Sequence, residues 1–116
     1  MSDVDPKLRQ LLDLMVSLGE PPLTEQTVEE FRERRARGRN VISLPPPPLD
    51  IVRDVEVMGA EHALKARIYD VEDGEVRPTL IYFHGGGFVY GDAESHDSVC
   101  RRLAAAGEMR VISVEY

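Results

Sequence analysis

The segment Phe83-His-Gly-Gly-Gly-Phe-Val-Tyr-Gly-Asp92 decides how the rest of the chain is interpreted, because it joins two segments of different periodicity. Before it, residues 79–83 form a continuous apolar run, which predicts a strand covered on both faces. After it, residues 95–106 carry apolar side chains at helical spacing, and residues 110–116 predict another strand. The order strand, helix, strand predicts a right-handed crossover between two parallel strands.

Two further strands are predicted upstream of this unit. Residues 51–57 and 63–69 contain alternating apolar and polar side chains, the pattern of a strand with one buried face. Gly59 and the pair Asp73-Gly74 supply a turn after each strand. Alternating strands suit an antiparallel edge, so the sequence predicts a mixed α/β sheet that is antiparallel at its start and parallel at the crossover. A sheet that ended at Tyr116 would present an apolar, unpaired edge.

Two amphipathic helices are predicted before the sheet. Residues 5–18 place leucine and methionine side chains at three- and four-residue intervals, and Asp5 is a suitable N-cap. The second helix is predicted over residues 27–37, because Thr27 and Glu30 have the spacing of a capping box.

The chain therefore divides into three predicted parts: a helical segment at residues 1–44, a proline-rich linker at 45–50, and the sheet region at 51–116. Four consecutive prolines cannot continue a helix and favour an extended polyproline II conformation. They could bind a proline-recognising domain, but a stiff spacer is the favoured interpretation.

Charge excludes one broad class of function. The chain has 116 residues, with 14 Lys and Arg against 21 Asp and Glu, and a formal net charge of -7. This balance argues against a general nucleic-acid binder, whose affinity comes mainly from neutralising phosphates. The arginine-rich run at residues 32–39 could contact an acidic partner, but a solvated helix end is favoured in so acidic a chain.

The sequence also bears on location. No apolar run approaches the roughly 18 residues that a membrane-spanning helix needs. The acidic residues near the N-terminus, at 1–5, lack the basic flank and apolar stretch of a secretory signal. Cys100 is the only cysteine, so no disulfide can form within the chain. The expectation is a cytoplasmic protein without a membrane span.

The three consecutive glycines at residues 85–87 suggest an anion-binding loop. Glycine leaves the neighbouring amide N–H groups unobstructed, and such groups can stabilise an anion without a charged side chain. A phosphate is one candidate, but neither G-x-G-x-x-G nor G-x-x-x-x-G-K-[ST] is present. The oxyanion formed during acyl transfer is the other candidate. The structural alternative is a tight turn that binds nothing.

The motifs around these glycines resemble those of the hormone-sensitive-lipase-like esterases, a family of the α/β-hydrolase superfamily. The resemblance is carried by His84-Gly-Gly-Gly-Phe88, by Gly91-Asp92, by residues 95–97 and by residues 111–116. It implies the N-terminal part of an α/β-hydrolase sheet. It also implies that the two predicted helices are the family's cap, which lies over the acyl pocket.

The same resemblance implies roles in ester hydrolysis for the loop. The backbone amides of Gly86 and Gly87 would bind the tetrahedral oxyanion, while His84 and Gly85 would shape the loop. A serine would attack the ester carbonyl, a histidine would transfer the proton, and an Asp or Glu would orient the histidine. No cofactor and no metal are implied.

The implied substrate is a small carboxylic ester, most often one with a short acyl chain. Phe88 and Tyr90 would line or brace its pocket. An amidase or deacetylase of the same superfamily is a close variant. A non-catalytic protein that binds a small ligand in this fold, as plant gibberellin receptors do, is the alternative from another class, and an inactive truncated fragment is a third.

The sequence does not contain the motif that carries the nucleophile of a catalytic triad. The nucleophile elbow G-x-S-x-G does not occur around any serine of the chain: Ser2, Ser17, Ser43, Ser95, Ser98 or Ser113. In the family, the elbow, the acid and the catalytic histidine follow the part that this chain resembles. We therefore expect continuing sequence or a companion chain to carry the triad, so that this chain alone is inactive. A homo-oligomer is left open, and no nucleic acid is expected as a partner.

Three other side chains contain groups that can bind metals or act as nucleophiles. His96 and Asp97, near Asp92, contain metal-ligand groups, but a helix-capping role is favoured because no second histidine follows at helical spacing. Cys100 is expected to be a small buried helix residue and not a nucleophile.

Overall fold

The computed structural model describes residues 4–38 and 45–116. The elements in chain order are α1 (Pro6–Ser17), a 3₁₀ turn (Leu23–Glu25), α2 (Val28–Gly38), β1 (Ile51–Met58), β2 (Ala63–Asp70), β3 (Thr79–Phe83), α3 (Asp97–Gly107) and β4 (Arg110–Val114). They fall into two compact units, residues 1–34 and 35–116. None of the helices described is long and apolar enough to cross a bilayer.

Helix α1 begins where the sequence predicts. The Asp5 side chain accepts hydrogen bonds from the backbone N–H groups of Lys7 (2.8 Å) and Leu8 (3.4 Å), and Pro6 occupies the first helical position. These bonds satisfy N–H groups that have no partner within the helix. No residue of α1 is buried, so its apolar stripe remains exposed.

Helix α2 begins with the predicted capping box. The Thr27 N–H donates to Glu30 Oε2 at 2.8 Å, and the Glu30 N–H donates to Thr27 Oγ1 at 3.2 Å. The helix ends at Gly38, and both Arg35 and Arg37 lie in its last turn, where the helix dipole favours cations. The predicted basic run and helical segment continue into residues 39–44, which lie outside the described residues.

The sheet is mixed, as predicted, with the strand order β1-β2-β4-β3. β1 pairs antiparallel with β2, and the hairpin turn is closed by the Gly59 N–H, which donates to the His62 carbonyl at 3.1 Å. β2 pairs antiparallel with β4, while β4 pairs parallel with β3. The parallel pair is the predicted crossover, with α3 as its helix.

One expectation about the sheet was wrong: β4, the strand before Tyr116, is not at the edge of the described sheet, because it lies between β2 and β3. The apolar run of β3 predicts a strand that needs cover on both faces, and in the part of the chain described Leu80, Ile81 and Phe83 are 36%, 49% and 63% exposed. The reason is that α3 packs against β2 and β4, and that β3 has a single neighbouring strand in the part of the chain described.

The core lies between α3 and the centre of the sheet. Tyr69, Cys100, Ala104 and Val111 are fully buried there. Partly buried apolar side chains surround them: Leu49, Val52, Tyr82, Leu103 and Met109. Arg102 also donates a hydrogen bond to the Pro45 carbonyl at 2.8 Å, which attaches the start of the proline segment to α3. This core fixes α3, and with it the loop that enters α3 from β3.

Candidate functional site

The candidate site is the loop of residues 84–96, which connects β3 to α3. β3 and β4 are parallel, so their carboxyl ends lie at the same edge of the sheet, where the loop begins. In open α/β sheets this edge is where ligands bind. We refer to residues 84–96 as the glycine loop.

The glycine loop folds around a tight turn. The backbone N–H groups of Val89 and Tyr90 both donate to the Gly86 carbonyl, at 3.0 and 3.2 Å. Gly86, Gly87 and Phe88 all have positive φ angles, of 143°, 60° and 61°. A Cβ atom at Gly86 would overlap the Tyr90 carbonyl oxygen, so only glycine fits there without a shift of the backbone.

In the part of the chain described, this turn leaves a run of backbone donors unused at residues 85–88, and Gly86 and Gly87 lie at its centre. Within the described residues, no hydrogen bond is made by the N–H of Gly86 or of Gly87. Gly87 is exposed and Gly86 is half-buried. Successive N–H groups in a turn with positive φ angles form a concavity that attracts anions.

His84 is packed into the glycine loop. The residue is 7% exposed, and its ring is stacked between Tyr116 (4.8 Å between centroids, 23° between planes) and His96 (5.6 Å, 30°). Its Nδ1 lies 3.1 Å from the Gly85 carbonyl oxygen. A Cβ atom on Gly91 would contact His84 Nδ1, so the glycine at 91 makes room for the imidazole.

The two aromatic residues assigned to the substrate pocket lie on the surface of the described structure. Phe88 is 90% exposed, and its ring meets the Tyr116 ring edge-on at 5.7 Å. Tyr90 is 40% exposed. A positive φ angle is unusual for a phenylalanine and marks local backbone strain. The pocket role of these two side chains stays a prediction.

The end of the glycine loop is closed by a reciprocal pair of hydrogen bonds. The Asp92 N–H donates to Ser95 Oγ at 2.9 Å, and the Ser95 N–H donates to Asp92 Oδ1 at 2.7 Å. His96 is the N-cap of α3, but its side chain makes no capping hydrogen bond. α3 begins at Asp97, two residues later than predicted. No cluster of three or more metal-ligating side chains occurs in the described residues.

Contacts from the sheet hold this second half of the loop in place. The buried residue Ala93 donates its N–H to Glu115 Oε1 at 3.2 Å and accepts a hydrogen bond from the Tyr69 hydroxyl at 3.4 Å. Burial, followed by the charge of Asp97, raises the pKa of Tyr69, so this hydroxyl keeps its proton. Arg67 on β2 donates to Glu94 at 2.8 Å.

Sequence reasoning did not identify Arg67, Tyr69 or Glu115 as part of this region. Arg67 is paired in register with Asp54 of β1 and donates to that carboxylate at 2.6 Å. The sequence did contain one indication of this ion pair, because the arginine and the aspartate lie on the two strands of a predicted hairpin. Tyr69 and Glu115 gave no comparable signal, because their contacts depend on β4 lying next to β2.

The remaining nucleophilic side chains do not form a catalytic arrangement in the described residues. Cys100 is buried, as predicted, and this burial raises the pKa of its thiol to about 11. Ser95 Oγ lies 3.1 Å from His96 Nδ1 but is also bonded to Asp92, in the loop closure described above. Ser2 and Ser43 lie outside the described residues.

Comparison with known proteins agrees with this architecture. A family model described as alpha/beta hydrolase fold matches residues 80–116. Esterase LipI of Mycobacterium tuberculosis is 33% identical over 97% of this chain and 34% of its own length. A hyperthermophilic esterase from the archaeon Pyrobaculum calidifontis superposes with a TM-score of 0.89 at 34% identity, over 99% of this chain and 37% of its own.

A second solved structure gives the same result. The ester-hydrolase EH1AB1 from the metagenome of Lake Arreo has a TM-score of 0.88 and 36% identity, over 98% of this chain and 38% of its own. The chain thus spans about a third of the length of the relatives that it matches. Its similarity to them extends over nearly all of its residues.

Proposed function

The chain belongs to the α/β-hydrolase superfamily and has an N-terminal part of that fold, and we propose that it supplies the oxyanion-binding loop of a carboxylic-ester hydrolase. Within the superfamily we assign it to the hormone-sensitive-lipase-like group, on the His84-Gly-Gly-Gly sequence of the loop. The similar proteins are named as esterases, which supports this class of reaction.

One observation carries the proposal: Gly86 and Gly87 each have a backbone N–H that donates to nothing else in the described residues. When a nucleophile attacks an ester carbonyl, the electron pair of the C=O bond moves onto the oxygen. Two converging N–H donors stabilise that oxyanion, and removing one such donor commonly lowers kcat by about 10²- to 10³-fold. Both donors are therefore available to an oxyanion.

The nucleophile, base and acid of the reaction are proposed to lie outside these 116 residues. A serine Oγ would form a bond to the ester carbon while a histidine takes its proton. The histidine would then give that proton to the departing alcohol, and water would hydrolyse the acyl-enzyme by the same route. The absence of G-x-S-x-G from this sequence supports that division.

The substrate we propose is an ester with a short acyl chain. Phe88 and Tyr90 closely follow the oxyanion donors along the chain and would offer an apolar surface to the acyl group. The helical segment of residues 1–44 is proposed as the cap. A cytoplasmic location, with a companion or continuing sequence as the partner, remains a prediction. No cofactor is proposed for this chemistry.

Labelling with a fluorophosphonate, followed by intact-mass and peptide mass spectrometry of the complete protein, tests the proposal. The reagent modifies serines that are activated by a histidine. We expect one adduct on a serine outside residues 1–116 and none on a heat-denatured control. An adduct on a serine within residues 1–116 would contradict the proposed position of the nucleophile.

Failure to label points to the non-catalytic alternative. A binding protein of this fold would give no adduct, yet a small carboxylic acid or ester that occupies its pocket would raise its melting temperature, because only the folded state binds. That pair of results would replace ester hydrolysis by ligand binding as the function of the glycine loop.

A further inference from the structure

Two adjacent residues, Glu115 and Tyr116, contact opposite ends of the glycine loop. The Tyr116 hydroxyl donates to the His84 carbonyl at 2.6 Å, directly before the glycines. The Glu115 carboxylate accepts the N–H of Ala93 at 3.2 Å, beyond the turn. We call this pair of residues, which directly follows β4, the loop clamp.

The position of the Tyr116 hydroxyl is determined by the packing of its ring. One face of the ring is stacked on His84, and the rings of Phe83 and Phe88 meet it edge-on at 6.0 and 5.7 Å. Stacked and edge-on contacts between aromatic rings are favourable geometries that restrict the orientation of the ring. The hydroxyl is thus held at the carbonyl of the residue that begins the loop.

Glu115 is anchored to the sheet on its other side. Its backbone N–H donates to the Lys65 carbonyl on β2 at 2.9 Å. The carboxylate therefore holds Ala93, which is 4% exposed, at a fixed distance from the sheet.

We propose that Glu115 and Tyr116 are positioning residues that hold the Gly86 and Gly87 donors in the orientation that oxyanion binding requires; this inference rests on the proposed function of the loop. The His84 carbonyl belongs to the peptide immediately before Gly85, so fixing it restricts the peptide planes that follow. Oxyanion stabilisation depends on donors set in place before the reaction, and a displacement of about 1 Å can cost about 100-fold in rate.

Steady-state kinetics of the complete enzyme with p-nitrophenyl butyrate provide the first test. Tyr116→Phe removes the hydroxyl and keeps the ring, while Glu115→Ala removes the acceptor. We expect each to lower kcat by about tenfold and to change KM by less than about twofold, because the lost interaction acts on the transition state. Glu115→Gln keeps an acceptor oxygen and should restore most of kcat.

Two matched control variants show whether a loss of kcat is specific to the loop clamp or follows from removing any similar side-chain group. Tyr82→Phe also removes a phenol hydroxyl, one that makes no hydrogen bond within the described residues. Glu75→Ala also removes an exposed carboxylate, in the segment between β2 and β3. Both should retain kcat within about twofold. Equal losses of kcat in the controls and in the clamp variants would overturn the proposal.

Hydrogen exchange of backbone amides tests the clamp without any need for turnover. The N–H groups of Val89 and Tyr90 are bonded within the turn, and that of Ala93 is bonded to Glu115. In Tyr116→Phe and Glu115→Ala these three amides should exchange about tenfold faster, while Ala104 in α3 keeps its rate.

The two measurements distinguish failure of the clamp from failure of the proposed function. If the protein hydrolyses no ester but the loop amides exchange faster, the clamp stands and the oxyanion role is wrong. The clamp is overturned if the loop amides keep their rates in both variants, or if Ala104 accelerates as much as they do. Failure of Glu115→Gln to behave better than Glu115→Ala would equally overturn it.

Discussion

Asp70, at the end of β2, and Arg110, at the start of β4, form a hydrogen-bonded ion pair with 2.7 Å between Oδ2 and Nε. The Asp70 side chain is 1% exposed and that of Arg110 is 33% exposed. Because the carboxylate has lost its contact with water, it depends on hydrogen bonds and on the opposite charge of its partner for stabilisation. Burial tends to raise the pKa of Asp70, but hydrogen bonds from Arg110 and from the Val71 N–H outweigh it and hold the pKa below its ordinary value.

The Asp70 pair makes stability dependent on pH in the acid range. A lowered pKa in the folded state gives stability that is complete above the unfolded-state pKa of about 3.9 and is lost as the pH falls through the folded pKa. We expect Asp70→Asn to lower the free energy of unfolding by about 2 kcal/mol at pH 7, below the usual 3–5 for a fully buried pair because Arg110 is partly exposed.

Urea unfolding at pH 7 and pH 2.5 measures this effect. The difference between the wild type and Asp70→Asn should be smaller at pH 2.5 than at pH 7, because the stabilisation is lost as the native carboxylate takes up a proton. Asp50→Asn, which alters an exposed aspartate, should change stability by less than about 0.5 kcal/mol at either pH. A difference of the same size at both pH values would contradict the assignment.

Gly86→Ala should abolish most of the proposed hydrolytic activity. The added Cβ atom would overlap the Tyr90 carbonyl oxygen, so the turn must open and move both oxyanion donors. We expect kcat with p-nitrophenyl butyrate to fall by about 100-fold or more. Gly74→Ala is the matched control: it too has a positive φ angle, of 78°, but its Cβ atom would meet nothing within 4 Å, so kcat should be retained.

Cys100 should be unreactive in the native protein. Burial raises the pKa of this thiol to about 11, so only about one molecule in a thousand carries the thiolate at pH 8, and the sulfur is inaccessible. We expect Ellman's reagent to label it only when guanidinium unfolds the protein. Ala105→Cys places a thiol on the exposed side of α3 and should react at once in the same assay. Rapid native labelling of Cys100 would show that α3 opens.

Arg67→Met should destabilise the protein modestly and in a salt-dependent manner. The Arg67 guanidinium contacts Asp54 at 2.6 Å and Glu94 at 2.8 Å, and both carboxylates are largely exposed. Pairs of this kind contribute up to about 1 kcal/mol, and salt screens them. Urea unfolding at 0.05 M and at 1 M NaCl should give a loss of about 1 kcal/mol that diminishes at high salt.

The control for Arg67→Met is Arg53→Met, which removes an exposed arginine from β1. It should change the free energy of unfolding by less than about 0.5 kcal/mol at both salt concentrations. A salt-independent loss in Arg67→Met would contradict the assignment of its effect to screened charge pairs.

Local features of this chain were predictable because they depend on nearby residues. The Asp5 cap and the capping box of Thr27 and Glu30 are interactions over two or three residues, and both are present as predicted. The mixed character of the sheet also followed, since alternating and continuous apolar runs differ visibly in the sequence. The resemblance of residues 83–92 to an esterase loop likewise rested on contiguous residues.

Features that depend on strand order were not predictable in the same way. The apolar run at 79–83 indicates a strand, but it does not indicate which helix, if any, covers that strand. In the structure α3 packs against β2 and β4 instead. The contacts of Glu115 with Ala93 and of Tyr69 with the Ala93 carbonyl exist only because β4 lies beside β2. Such contacts join residues more than 20 positions apart, beyond the reach of periodicity.

The placement of β4 between β2 and β3 has a consequence for synthesis on the ribosome. β1 and β2 leave the ribosome first and can form their hairpin at once, since they are close in sequence. β3 then emerges before β4, its neighbour in the described sheet, and at 5–20 residues per second it waits roughly 2–6 s for that strand. During this interval the apolar residues of β3 are available to a chaperone or to another nascent chain, so translation speed over residues 84–114 should influence the yield of native protein.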